Sequence, residues 1–96
     1  MEFTVNFTPS ARADIRDFTA YEQRIIASGI RTYLTRDALV ATDRRKLLEA
    51  NIIATWELRI DNYRIFYDVE DATVHVIAVG HKDHNDLYIR GKKIIL

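Results

Sequence analysis

Between Thr55 and Val79 apolar side chains recur at every second position, interrupted by a polar Asp61-Asn62 pair. Side chains of a strand alternate between its faces, so Trp56, Leu58 and Ile60 share one face while Glu57 and Arg59 share the other. Asp and Asn tolerate left-handed backbone, which makes Asp61-Asn62 a natural two-residue hairpin turn. That turn pairs Ile60 with Tyr63, Arg59 with Arg64, Leu58 with Ile65, Glu57 with Phe66 and Trp56 with Tyr67. A second turn at Asp71-Ala72 sets Val69 against Val74, Asp68 against His75 and Tyr67 against Val76, and continues to Arg64 against Val79. One face then carries Trp56, Leu58, Ile60, Tyr63, Ile65, Tyr67, Val69, Val74, Val76 and Ala78. A surface that apolar has to be covered.

The N-terminal part supplies the cover. Phe3, Val5 and Phe7 alternate with polar neighbours and predict a strand over residues 2–7. Thr8 is placed to cap a helix whose first residue is Pro9. From Ser10 the apolar spacing changes to three and four: Ile15 and Phe18, then Tyr21, Ile25, Ile26, Ile30, Tyr33 and Leu34. Thr19 and Glu22 have the spacing of a capping box, so a second helix is expected from about Ala20 to Arg36. Gly29 inside it costs up to about 1 kcal/mol relative to alanine. Local propensity favours a helical turn over residues 43–49, although residues 37–54 have no clean period. Asp86–Ile89 and Lys93–Leu96 are short apolar pieces at the end. An N-terminal strand, two helices and an antiparallel meander make a two-layer α+β fold.

With 96 residues against a prior of about 150 per domain, residues 1–96 form a single domain. Fourteen Lys and Arg balance fourteen Asp and Glu, so no overall field of one sign announces a nucleic-acid partner. The absence of cysteine excludes a disulfide scaffold and any thiolate chemistry. No apolar run approaches the roughly 20 residues of a membrane span, and Met1-Glu2-Phe3 does not begin a signal peptide. The expectation is a small soluble cytoplasmic protein with no membrane partner.

The second face of the meander collects Glu57, Arg59, Arg64, Phe66, Asp68, His75, Ile77 and Val79, and continued alternation adds His81. Two arginines directly opposite each other repel unless an anion joins them. Glu57 and Asp68 can neutralise them on a solvated surface, or a phosphate can sit between them. Phe66, Ile77 and Val79 make the face apolar enough to expect another chain or a base over part of it. The third strand is expected over Thr73–Val79, and past it Gly80 lets the chain turn into a loop. That loop has the densest cluster of acid, base and phosphate-binding groups, Gly80-His81-Lys82-Asp83-His84-Asn85-Asp86-Leu87-Tyr88, expected to surround one hollow together with Arg59 and Arg64. Cleavage of a phosphodiester by its own 2′-OH needs a base, cations for the phosphorane and an acid for the departing oxygen. Histidine serves either proton role near neutral pH. His81 and His84 with Asp83 or Asp86 lack a fourth ligand for zinc, so neither a metal nor another cofactor is expected.

Trp56-Glu57-Leu58-Arg59, Tyr63-Arg64-Ile65-Phe66-Tyr67, Val76-Ile77-Ala78-Val79-Gly80-His81-Lys82 and Leu87-Tyr88 together resemble the C-terminal half of the RelE/ParE toxin superfamily. The resemblance implies the toxin of a type II toxin–antitoxin pair, bound to a small helix-containing antitoxin in a hetero-oligomer. RelE-like members cut mRNA on the ribosome without a metal, and Arg64, Lys82 and Tyr88 fall on their key positions. His84 stands where relatives carry another basic residue. Arg59, His81 and the basic triplet Arg44-Arg45-Lys46 are then RNA-binding candidates. Thr55 and Glu57 stand where RelE has lysines, and the family pattern makes residues 43–54 mostly loop. Three activities follow from the resemblance: a ribosome-dependent mRNA endoribonuclease, a ParE-like inhibitor that binds DNA gyrase, or a non-catalytic antitoxin-binding co-repressor. The Lys82, His84 and Tyr88 set favours the first.

Overall fold

Thr8 in extended backbone is where the first strand becomes the first helix. A computed structural model describes all of residues 1–96. Strand β1 (Thr4–Phe7) leads into α1 (Pro9–Arg16), whose Thr8 cap accepts a hydrogen bond from the Ala11 amide. Helix α2 (Ala20–Leu34) opens with the expected capping box: Thr19 and Glu22 each accept from the other's backbone amide. Then come β2 (Arg45–Leu47), β3 (Trp56–Ile60), β4 (Tyr63–Glu70), β5 (Thr73–Asp83), β6 (Asp86–Ile89) and β7 (Lys92–Ile94). They form one antiparallel sheet in the order β2-β3-β4-β5-β6-β7, with β1 added parallel to the first part of β5. The two-layer α+β architecture is the one the periodicities demand.

The first hairpin has the expected register at all five pairs, from Ile60 with Tyr63 to Trp56 with Tyr67. The second follows it only as far as Tyr67 with Val76. There Ile77 bulges out, so Phe66 meets Ala78, Ile65 meets Val79, and Arg64 meets Gly80 instead of Val79. A bulge inserts one residue and flips the face of everything beyond it. Val79 therefore enters the helix-covered core, while Ala78 joins Phe66 on the other side. His81, opposite Tyr63, also moves to the helix side. The bulge is held by Thr8, which donates from its amide to the Val76 carbonyl and from its hydroxyl to the Ile77 carbonyl.

Three further expectations change. Residues 43–49 are not helical: β3 presents an open ladder edge, and Arg45–Leu47 pairs with it as a short strand inside an otherwise irregular segment. The third long strand does not stop at Val79 but runs to Asp83, so Gly80 makes no turn. A Cβ on Gly80 would stand 2.3 Å from the Tyr88 carbonyl oxygen, and its absence is what lets β6 approach β5. Phe66 is not left for another chain to cover. It is fully buried with Ala54, Ala78, Leu87 and Ile89, under Leu48 and Ile53 of the segment that follows β2. Gly29 is explained too: a Cβ there would meet the Ile60 side chain at 2.6 Å, so the glycine lets α2 lie close to β3.

Candidate functional site

The face of the sheet turned away from the helices is built around one carboxylate. Glu57 on β3 is 4% exposed and lies beneath Arg59, whose Nε donates to Glu57 Oε1 at 2.8 Å. Arg64 stands across from Arg59 on β4, with its Nε 3.5 Å from the same oxygen. Its Nη1 donates back to the carbonyls of Asp61 at 2.8 Å and Tyr63 at 2.9 Å, while its buried Nε makes no hydrogen bond. Burial lowers the pKa of Arg64, with Glu57 opposing and Arg59 adding to that shift. It stays charged at any ordinary pH, because guanidinium starts so high. Lys46 lies opposite Glu57 on β2. Lys82, two residues beyond the Gly80 that faces Arg64, shares that face by alternation. Lys82 and Glu57 together line a cleft of about 250 Å³ with Leu87.

The remaining candidates are not gathered there. Tyr88 pairs with His81, one residue out of phase with Gly80, and therefore lies on the helix-covered side of the sheet. Its ring stacks on His81 at 5.6 Å, and His81 meets the edge of Phe18 at 6.3 Å. His84 occupies a two-residue turn with Asn85, both in left-handed backbone. It is fully open to solvent and pairs with Asp83 at 2.7 Å. Of the basic triplet only Lys46 reaches the open face. Arg45 is 9% exposed, donating to the carbonyls of Val40 and Tyr33. Arg44 lies over the Tyr33 ring at 5.0 Å. The expected hollow bounded by Arg64 and Tyr88 together does not form: a one-residue bulge and a β-hairpin where a loop was expected put them on opposite faces.

One residue of consequence was passed over in the sequence. Asp14 of α1 has a side chain 1% exposed; its Oδ2 accepts the Val79 amide at 3.0 Å and Arg90 Nη2 at 3.2 Å. It stands in for a strand where β5 passes from its β1 neighbour to its β6 neighbour. The signal was present, since Asp14 lies three residues after Ala11 and four before Phe18, on the buried stripe of α1.

Residues 5–85 match the sequence profile described as the ParE toxin of the type II toxin–antitoxin system, parDE. The chain belongs to this toxin family. Within the wider RelE/ParE superfamily, a chain of the RelBE2 toxin–antitoxin complex from Mycobacterium tuberculosis has the same fold, at TM-score 0.73 and 26% identity. That match covers 85% of this chain and 100% of the other. No curated protein sequence matches. The profile of the ParE family takes in Glu57, Arg59, Arg64, Lys82 and His84 but ends before Tyr88. No helix of this toxin is long and apolar enough to cross a membrane.

Proposed function

We propose that this chain is the toxin half of a type II module, held inert by a small helix-containing antitoxin, and that the free toxin acts by gripping its target, as ParE-like toxins grip DNA gyrase, instead of cutting RNA. The observation that supports this reading is the separation of Arg64 from Tyr88 by the thickness of the sheet. Cleavage by a 2′-OH needs a base, an acid and phosphorane-stabilising cations around one phosphate. The open face has the cations, but its only central carboxylate is already claimed by Arg59 and Arg64. The test sets rising amounts of toxin against gyrase acting on relaxed plasmid, and in parallel against programmed ribosomes. Supercoiling is expected to stop near equimolar toxin while the message stays intact; message cut by wild type but not by Arg64→Ala would overturn the reading.

A second reading keeps RNA cleavage, with ribosome and mRNA as partners. What favours it is local charge: Lys46, Arg59, Arg64 and Lys82 share one face with a single buried carboxylate, although the chain as a whole is neutral. In that reading Arg64 and Lys82 hold the scissile phosphate. Tyr88→Phe would then leave the cutting unchanged, since Tyr88 is across the sheet.

For the antitoxin, the same face offers an apolar groove of about 490 Å³ beside the cations. Ile77 and Ala78 form its floor, and Ile52 and Ile95 stand almost fully exposed on its walls. An amphipathic helix laid there would bury what the chain alone leaves open. Co-purification with the product of the neighbouring reading frame checks this.

A further inference from the structure

The helix-side cluster that holds His81 and Tyr88 serves none of the roles assigned above, yet it encloses a cavity of about 280 Å³. Drug-sized ligand sites begin near 300 Å³, so this volume suits one long side chain. Three aromatic rings form its wall: Phe18 edge-on to His81, and Tyr88 stacked against His81. Asp17 and Glu22 stand at its rim, and no lysine or arginine of the chain pairs with either. Glu22 already accepts from the Thr19 amide and the Tyr63 hydroxyl, which hold its carboxyl below the usual range and keep it charged. Deeper in, buried Asp14 is ion-paired with Arg90, whose Nε stands 2.8 Å from Oδ1 and whose Nη2 donates to Oδ2 at 3.2 Å.

We infer that this cavity is a binding site for the guanidinium of an arginine side chain presented by another polypeptide. Unpaired carboxylates at the rim and flat rings in the wall are what a planar cation with several N–H donors uses, by charge-assisted hydrogen bonds and stacking. An ammonium matches the charge but not the plane. A nucleobase matches the plane, but its phosphate would sit against Asp17 and Glu22, and the one cation in the wall, Arg90, is committed to Asp14. The site lies on the face of the sheet opposite the Arg59–Glu57–Arg64 cluster, so both can be occupied at once.

The full-length toxin, labelled for amide NMR, is titrated with Nα-acetyl-arginine methylamide, with the neutral citrulline and the lysine analogues, and with guanosine. Saturable shifts at Phe18, Gly80, His81 and Tyr88 are expected with the arginine compound, at least tenfold tighter than with citrulline and severalfold tighter than with lysine. Glu22→Gln should weaken the arginine compound at least fivefold, and because glutamine also completes a capping box, α2 keeps its start. Equal affinity for citrulline, tighter binding of guanosine, the absence of saturable shifts, or an unchanged Glu22→Gln affinity would each overturn the assignment.

Discussion

Asp14 and Gly80 carry more of the site's geometry than any of the cations. Asp14 accepts the amide of Val79, which has no strand partner at that point of β5. Replacing it by alanine leaves a buried N–H without an acceptor, which costs about 1–3 kcal/mol. Asp14→Asn keeps an oxygen for that amide and loses the charge that faces half-exposed Arg90, so it should cost less than the alanine. Urea unfolding of the two variants measures the difference, and equal losses would mean that the charge matters more than the acceptor. Gly80→Ala drives a methyl into the Tyr88 carbonyl and has to part β5 from β6. The expected loss is about 1–3 kcal/mol, together with displaced resonances for His81 and Tyr88. The place of Asp14 on the buried stripe of α1 was legible, but its partner Val79, 65 residues on, was not, and the role of Gly80 depends on β6 folding back beside it. Arg59, Glu57 and Arg64, by contrast, were legible from alternation alone, since one tight turn sets all three on one face.

At the scale of elements, legibility followed the strength of the local signal. The capping box over Thr19 and Glu22, the Pro9 start of α1 and the Asp61-Asn62 hairpin each rest on adjacent residues, and the structure has all three. The bulge at Ile77 does not: it is held by Thr8, 69 residues earlier in the chain, and it sends His81 to the helix side, where the β5–β6 pairing then sets Tyr88. Strand β2 was hidden for a similar reason, since three residues with helical propensity pair only because β3 has a free edge. The cap of α2 can be tested by pH. Glu22 has its pKa lowered from 4.5, chiefly by the Thr19 amide and then by the Tyr63 hydroxyl. A carboxyl depressed in the folded state stabilises it above the unfolded value, and that contribution is lost as pH falls through the folded value. Wild type should therefore lose stability below about pH 4.5 more steeply than Glu22→Gln in acid titrations followed by circular dichroism; parallel curves would show that the cap is not the acid-sensitive part. Thr19→Ala should cost about 1 kcal/mol at neutral pH.

Taken whole, the molecule balances fourteen basic against fourteen acidic residues but does not mix them evenly. Lys46, Arg59, Arg64 and Lys82 rise from the open face, while Asp17 and Glu22 rim the cavity under the helices. The open face also carries Ile52, Ile95 and Leu96 in contact with water. A protein that binds only the folded toxin stabilises it by mass action, about 4 kcal/mol at a thousand times its dissociation constant. For a domain of this size 1 kcal/mol corresponds to roughly 4–8 °C, so saturating antitoxin should raise the melting temperature by roughly 15–30 °C. Ile95→Asp tests whether the apolar groove takes part. Because Ile95 is 89% exposed, the variant alone should melt within a few degrees of wild type. In the complex the new carboxylate would have to be buried against Ile77 and Ala78, so the gain from antitoxin should shrink markedly. An undiminished gain would place the antitoxin elsewhere, and no gain for wild type would remove the partner from the proposal altogether.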